Sequence, residues 1–212
     1  MIIVLLGPPG AGKGTQGERL SRLLQLPKIA TGDVLRDAAR DGTPLGIEAK
    51  EYMDRGDLVP DSVILGIIRE VFASDRTARG AILDGVVRTV TQAKGLESVL
   101  TELGRHVDVV LIFEIDDERL VERISSRVVC ESCQTPYTER APDERCEKCG
   151  ARLIRRSDDE PDAIRNRLRV YREQTAPVVE WYEKRSNQVK VHRIDADGFI
   201  DEVTLRALNV LL

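Results

Sequence analysis

The 212-residue chain predicts an α/β fold with a parallel β-sheet core wrapped by helices. Three observations lead there. Short apolar runs rich in β-branched residues recur along the chain, amphipathic stretches of helical period lie between them, and a glycine-rich segment follows the first apolar run directly. Strands are expected at residues 2–6, 81–83, 107–113 and 189–194; the first and third are apolar almost throughout, as strands covered on both faces must be. Helices are expected at residues 15–24, 33–40, 44–55, 61–72, 89–103, 118–125, 159–185 and 201–211. Gly56-Asp57 closes one of them and Pro60-Asp61 opens the next. Ligands of open α/β sheets bind at the carboxyl ends of the strands, so the residues after Leu6, Leu83 and Phe113 are expected to converge.

The segment Gly7-Pro8-Pro9-Gly10-Ala11-Gly12-Lys13-Gly14-Thr15 reads as a phosphate-binding loop. Glycines let successive backbone N–H groups approach phosphate oxygens, the following helix adds the positive end of its dipole, and Lys13 adds a full charge. Position 14 is glycine where most such loops carry Ser or Thr, and the hydroxyl comes one residue later at Thr15. That shift points to nucleotide kinases rather than switch GTPases.

Charged residues make up 32% of the chain and the formal net charge is -4, so phosphate binding must come from local basic clusters. The apolar run that opens the chain stops at Gly7, too short for a signal-peptide core or a membrane span, and a cytoplasmic protein is expected. Cys130-x2-Cys133-x12-Cys146-x2-Cys149 has the spacing of two metal knuckles. Four thiolates suit a closed, structural, tetrahedral zinc, with iron as the alternative. The residues between the pairs hold too few apolar side chains to fold unaided. A zinc ribbon can also grip nucleic acid, but Arg140, Arg145 and Lys148 face Glu131, Glu139, Asp143, Glu144 and Glu147, and only Tyr137 is available to stack on a base. Guanidinium groups flank the module instead, Arg123 and Arg127 before it and Arg155, Arg156 and Arg167 after it.

Five blocks in order then carry a resemblance: the loop at residues 7–15; Ala30-Thr31-Gly32-Asp33-Val34-Leu35-Arg36; Leu83-Asp84-Gly85-Val86-Val87-Arg88-Thr89 with Gln92; the four cysteines; and Arg156-Ser157-Asp158-Asp159 leading to Arg167 and Tyr171-x3-Thr175-Ala176-Pro177. From residue 1 to about residue 203 the chain resembles the bacterial-type, long-form adenylate kinases with a zinc-binding lid. The resemblance implies a P-loop kinase core (residues 1–29, 60–125 and 160–212), an AMP-binding helical insertion (30–59) and a zinc lid (126–159). It implies a monomer that transfers the γ-phosphoryl of MgATP to AMP, giving two ADP, with no nucleic-acid or membrane partner.

By the same resemblance, Gly10, Ala11, Gly12, Lys13, Gly14, Thr15, Arg123, Arg127, Pro136, Tyr137 and Gly198 bind ATP. Thr31, Gly32, Arg36, Asp57, Leu58, Val59, Gly85, Val86, Val87, Arg88, Gln92, Arg156 and Arg167 bind AMP, with the Gln92 amide against the adenine edge. Lys13, Arg88, Arg127, Arg156 and Arg167 supply positive charge to the transferring group, Asp84 orders water on Mg²⁺, and Asp158 and Asp159 are hinge carboxylates that pair with arginines. Asp33 is read as an aid to Mg²⁺ and as the N-cap of its helix.

Three departures from the family pattern stand out. Val86 and Val87 replace an aromatic residue and a proline, Val128 replaces the second of two arginines, and the loop between the cysteine pairs is a few residues short. The valines bear on AMP affinity and base selectivity. Kinases acting on UMP or CMP, and a non-catalytic nucleotide sensor, are the competing readings; Gln92 and the four cysteines oppose the first, and the full set of cations opposes the second.

Overall fold

Along strand β1 (Ile2–Leu6) the side chains alternate between two apolar clusters, Ile2, Val4 and Leu6 on one face and Ile3 and Leu5 on the other. A strand buried on both faces must be central, and β1 is. The computed structural model describes residues 1–138 and 140–212; Glu139, one of the acidic residues counted between the cysteine pairs, lies outside them. From β1 the chain runs through the glycine loop into α1 (Lys13–Leu24) and the short β2 (Lys28–Ala30). Helices α2 (Thr31–Arg40) and α3 (Pro44–Arg55) pack together before α4 (Asp61–Ala73) and β3 (Ala81–Asp84). Next come α5 (Val90–Glu102), β4 (Val109–Glu114) and α6 (Asp117–Ser125), then three short strands, β5 (Val128–Cys130), β6 (Pro136–Tyr137) and β7 (Leu153–Ile154). The chain ends with α7 (Pro161–Val170), a π-helical turn (Tyr171–Thr175), α8 (Ala176–Glu183), β8 (Lys190–Asp195) and α9 (Ile200–Asn209).

The main sheet has the order β2-β3-β1-β4-β8 with every pair parallel. Leu5 lies opposite Asp84, so the glycine loop after β1 and the segment after β3 leave the sheet side by side. The chain turns to β2 and β3 on one side of β1 and later to β4 on the other, which opens a crevice at this edge. The second sheet, order β6-β5-β7, is antiparallel and buries only a small cluster, Val128, Cys130, Cys146 and Leu153.

Four features differ from the expectation. β2 was not foreseen; its three residues are a strand because Lys28 and Ile29 pair with Ile82 and Leu83. The short strands around the cysteines were not foreseen either. α2 begins at Thr31 with Ala30 as its N-cap, so Asp33 sits inside the first turn, where its charge favours the helix dipole without capping. The helix expected over 159–185 is interrupted. Pro161 starts α7, and Pro177 has no N–H for the carbonyl four residues earlier, so the turn before it widens into the π-helical segment.

Candidate active site

Gly7 has φ of 141°, and a Cβ on it would meet the Phe113 carbonyl oxygen at 2.5 Å. Only glycine lets the loop cross so close to β4 before turning into α1. The loop forms one wall of a cleft of about 1050 Å³. Among the described residues, eleven cationic side chains and six carboxylates line it, a positive site in a chain of net charge -4.

Lys13 donates from Nζ to the carbonyl oxygens of Gly7 (2.7 Å) and Pro8 (2.8 Å). Burial lowers its pKa to about 8; Asp84 opposes the shift, and Arg88, Arg167 and Arg127 add to it. Arg88 is likewise pushed down by burial and then by Arg167. Arg156 is pushed down by burial, Arg36 and Arg127, and its buried Nε and that of Arg36 have no hydrogen-bond partner among the described residues. Buried cations that repel one another and keep unpaired donors form a site complementary to an anion.

Other arginines are held by carboxylates. Arg127 grips Asp159 with two nitrogens, Nε at 2.8 Å from Oδ2. Burial works against the Arg127 charge, but the Asp159 hydrogen bonds outweigh it and raise its pKa. Arg167 reaches Asp158 Oδ2 and Asp159 Oδ1, each at 3.0 Å. Burial pushes the Asp158 carboxyl up, yet Arg167 and Arg156 hold it below the usual range. Arg36 donates to Asp33 at 2.5 Å, and Arg88 Nε donates to the Gly85 carbonyl at 3.2 Å. Arg123 donates to the Ala196 carbonyl at 3.1 Å, close to Gly198.

Most of the expected nucleotide contacts line this cleft: residues 10–15, Thr31, Gly32, Arg36, residues 57–59, Gly85, Val87, Arg88, Gln92, Arg123, Arg127, Pro136, Arg156, Arg167 and Gly198. Two do not. Val86 is buried in the core beneath it. The Tyr137 hydroxyl lies 3.2 Å from Cys146 Sγ, turned toward the cysteines instead. Gln92 lines the cleft, but its amide is already engaged within the protein, accepting from the Arg88 N–H and donating to Asp61. Sequence reading missed Asp61. It also missed Gln16 and Thr204, a buried pair whose amide and hydroxyl tie α1 to the start of α9, and Lys28, whose Nζ lies 3.8 Å from Asp33 and 4.0 Å from Asp84. The apolar-to-polar pattern marks none of these, because each acts through a partner remote in sequence.

Asp33 and Asp84 line the cleft beside the glycine loop, and a Cβ on Gly14 would lie 3.4 Å from Asp84 Oδ2. Hard oxygen donors there fit a hydrated Mg²⁺. The four cysteine sulfurs lie within 4.8 Å of one another, with Cys130 and Cys149 3.4 Å apart and Cys133 and Cys146 3.6 Å apart. Tetrahedral Zn–S bonds of about 2.3 Å place sulfurs about 3.8 Å apart, so the donor set fits zinc. The Tyr137 hydrogen bond is the main cause that brings Cys146 down to about 6.

A parallel sheet with a phosphate-binding loop at its switch point and an arginine-lined cleft defines a P-loop phosphotransferase of the nucleoside monophosphate kinase type. Residues 5–187 match the family described as adenylate kinase. The chain is 60% identical to an adenylate kinase of Gemmatimonas aurantiaca over all of this chain and 99% of that one. It is 43% identical to one of Salinispora tropica (100% and 98% covered) and 47% identical to one of Geobacter sulfurreducens (92% of each). The chain belongs to the adenylate kinase family.

Proposed function

We propose that the protein transfers the γ-phosphoryl group of MgATP reversibly to AMP, giving two ADP, and so balances the adenine nucleotides. The observation that carries this reading is the cleft itself, where Lys13, Arg88 and Arg156 have lowered proton affinity and the buried Nε atoms of Arg36 and Arg156 have no hydrogen-bond partner among the described residues. Phosphoryl transfer runs through a loose transition state with charge spread over oxygens, so positioning and positive charge are what a protein must supply. Arginine suits this because its planar fork holds two oxygens and keeps its proton.

In this reading Lys13 and the loop N–H groups hold the outer phosphates of ATP, and Arg36 and Arg88 hold the AMP phosphate. Arg123, Arg127, Arg156 and Arg167 close from the lid side, and Arg123 stacks on the ATP adenine. Asp84, aided by Asp33, would hold waters of the Mg²⁺, which neutralises phosphate charge when bound. Asp158 and Asp159 aim the arginines. Residues 30–59 act as the AMP-binding arm and 126–159 as the lid, whose cysteines hold structural zinc. Closing both only when both substrates are present excludes water, the competing acceptor. Contacts already join these parts, among them Lys148 to Glu18 on α1 at 3.4 Å and the Ser157 hydroxyl donating to Asp54 on α3. We propose a cytoplasmic monomer without nucleic-acid or membrane partners; among the described residues, no helix is long and apolar enough to cross a membrane.

The test is ADP formation from MgATP with AMP, UMP, CMP, GMP or water as acceptor. Rapid turnover confined to AMP is expected. Equal turnover with water, or none with any acceptor, would overturn the proposal.

A further inference from the structure

Gln92 is 2% exposed in the first turn of α5, yet it lines the cleft. Its Oε1 accepts the Arg88 backbone N–H at 2.7 Å, and its Nε2 donates to Asp61 Oδ1 at 2.8 Å. A backbone N–H only donates and a carboxylate only accepts, so both contacts demand the same orientation of the amide. Turning it over would set N–H against N–H at Arg88 and oxygen against oxygen at Asp61. Asp61 is itself braced. It begins α4 and also accepts from Thr89 Oγ1 at 3.1 Å, while that same hydroxyl caps α5 by accepting the Gln92 N–H at 3.0 Å.

We propose that Asp61 is a specificity-determining positioning residue, which locks the Gln92 amide in the one orientation that reads the edge of adenine. The proposal rests on the AMP reading above. A primary amide has two donor hydrogens and two acceptor lone pairs. Asp61 and the Arg88 N–H take one of each, which leaves one of each for the cleft. Adenine offers an acceptor at N1 and a donor at its 6-amino group, matching the remaining pair. Hypoxanthine and guanine offer the reverse, a donor at N1 and an acceptor at O6. A monophosphate whose phosphate is held by arginines cannot turn its base around, so accepting the reversed edge requires the amide to turn. Asp61 makes that turn costly, since a buried amide nitrogen facing away from its carboxylate partner loses a charge-assisted hydrogen bond.

The experiment compares kcat and KM for AMP and IMP at saturating MgATP. IMP differs from AMP at this edge alone. The variants are Asp61→Leu, which removes the acceptor at similar shape, and Asp61→Asn, which keeps a carbonyl oxygen for Gln92; Asp61→Ala makes the first comparison should the leucine variant fail to fold. In Asp61→Leu the ratio of kcat/KM for AMP over IMP is expected to fall by about tenfold or more, the worth of one hydrogen bond to a charged group. Asp61→Asn is expected to retain the ratio, and KM for MgATP to stay unchanged in all variants. A proportional loss with both acceptors would make Asp61 a merely structural residue and overturn the proposal, as would loss of discrimination in Asp61→Asn. A wild-type protein indifferent to AMP and IMP would instead overturn the AMP reading, and the proposal with it.

Discussion

The Lys13 ammonium rests on the Gly7 and Pro8 carbonyls with a pKa lowered from 10.5 to about 8, chiefly by burial. A bound polyphosphate supplies the missing negative charge and is expected to return the group toward its ordinary value. MgATP binding must then draw protons from solution. With a free-enzyme pKa of about 8, Lys13 lacks its proton in about three-quarters of molecules at pH 8.5 and about a tenth at pH 7. Titration calorimetry in two buffers of different ionisation enthalpy measures this directly. The heats are expected to differ by about three-quarters of the ionisation-enthalpy difference at pH 8.5, and hardly at all at pH 7. Lys13→Arg, protonated at both pH values, is expected to abolish the effect. Heats independent of buffer at pH 8.5 would refute the argument, as would undiminished uptake in Lys13→Arg. The sign carries over to stability. Between pH 8 and 10.5 the unfolded chain holds this proton more firmly than the fold, so Lys13 makes the unliganded protein gain stability as pH rises through that window.

Chelation is expected to release one metal ion per chain and lower the melting temperature while helical circular dichroism persists, because the cysteine module buries little else; metal loss without a change in melting would refute it. Gly46→Ala sets a Cβ 2.1 Å from the Ala38 carbonyl carbon, where α3 crosses α2, and is expected to cost about 1–3 kcal/mol in denaturant unfolding. An unchanged midpoint would mean that this crossing is loose. Tyr182→Phe removes a hydroxyl that is fully buried without a partner among the described residues, and is expected to leave stability unchanged or raise it by up to about 1 kcal/mol. A clear loss would reveal a partner for that hydroxyl, such as a buried water.

β1 and β4 were legible in the sequence because both faces of each are buried, which writes an unbroken apolar run. β2 was not, since its three residues begin with Lys28 and owe their conformation to the neighbouring strand. The strands of the cysteine module are two or three residues long and are held by the thiol cluster rather than by any pattern of their own. In the site, the glycine loop announces itself because its chemistry is local. Partnerships are not local. Asp61 and Gln92 stand 31 residues apart, and Arg127 and Asp159 32 apart, so sequence could name the side chains but not their mates. Tyr137 shows the same gap: its type suited a base, but its orientation belongs to Cys146.

The π-helical turn at Tyr171–Thr175 joins two helices with different obligations. Upstream, α7 aims Arg167 into the cleft and packs Ile164 and Leu168 into one apolar cluster; downstream, α8 packs Val178, Val179 and Tyr182 into the other. Within the turn, the Thr175 hydroxyl donates to the Arg88 carbonyl at 2.9 Å. Each residue added to or removed from a helix rotates everything beyond it by about 100°. The widened turn therefore acts as a phase adjuster between chemistry and core. The number of residues between Arg167 and Tyr182 sets the angle between the side chain that enters the cleft and the one that fills the core, and inserting or deleting one residue there would turn them out of step.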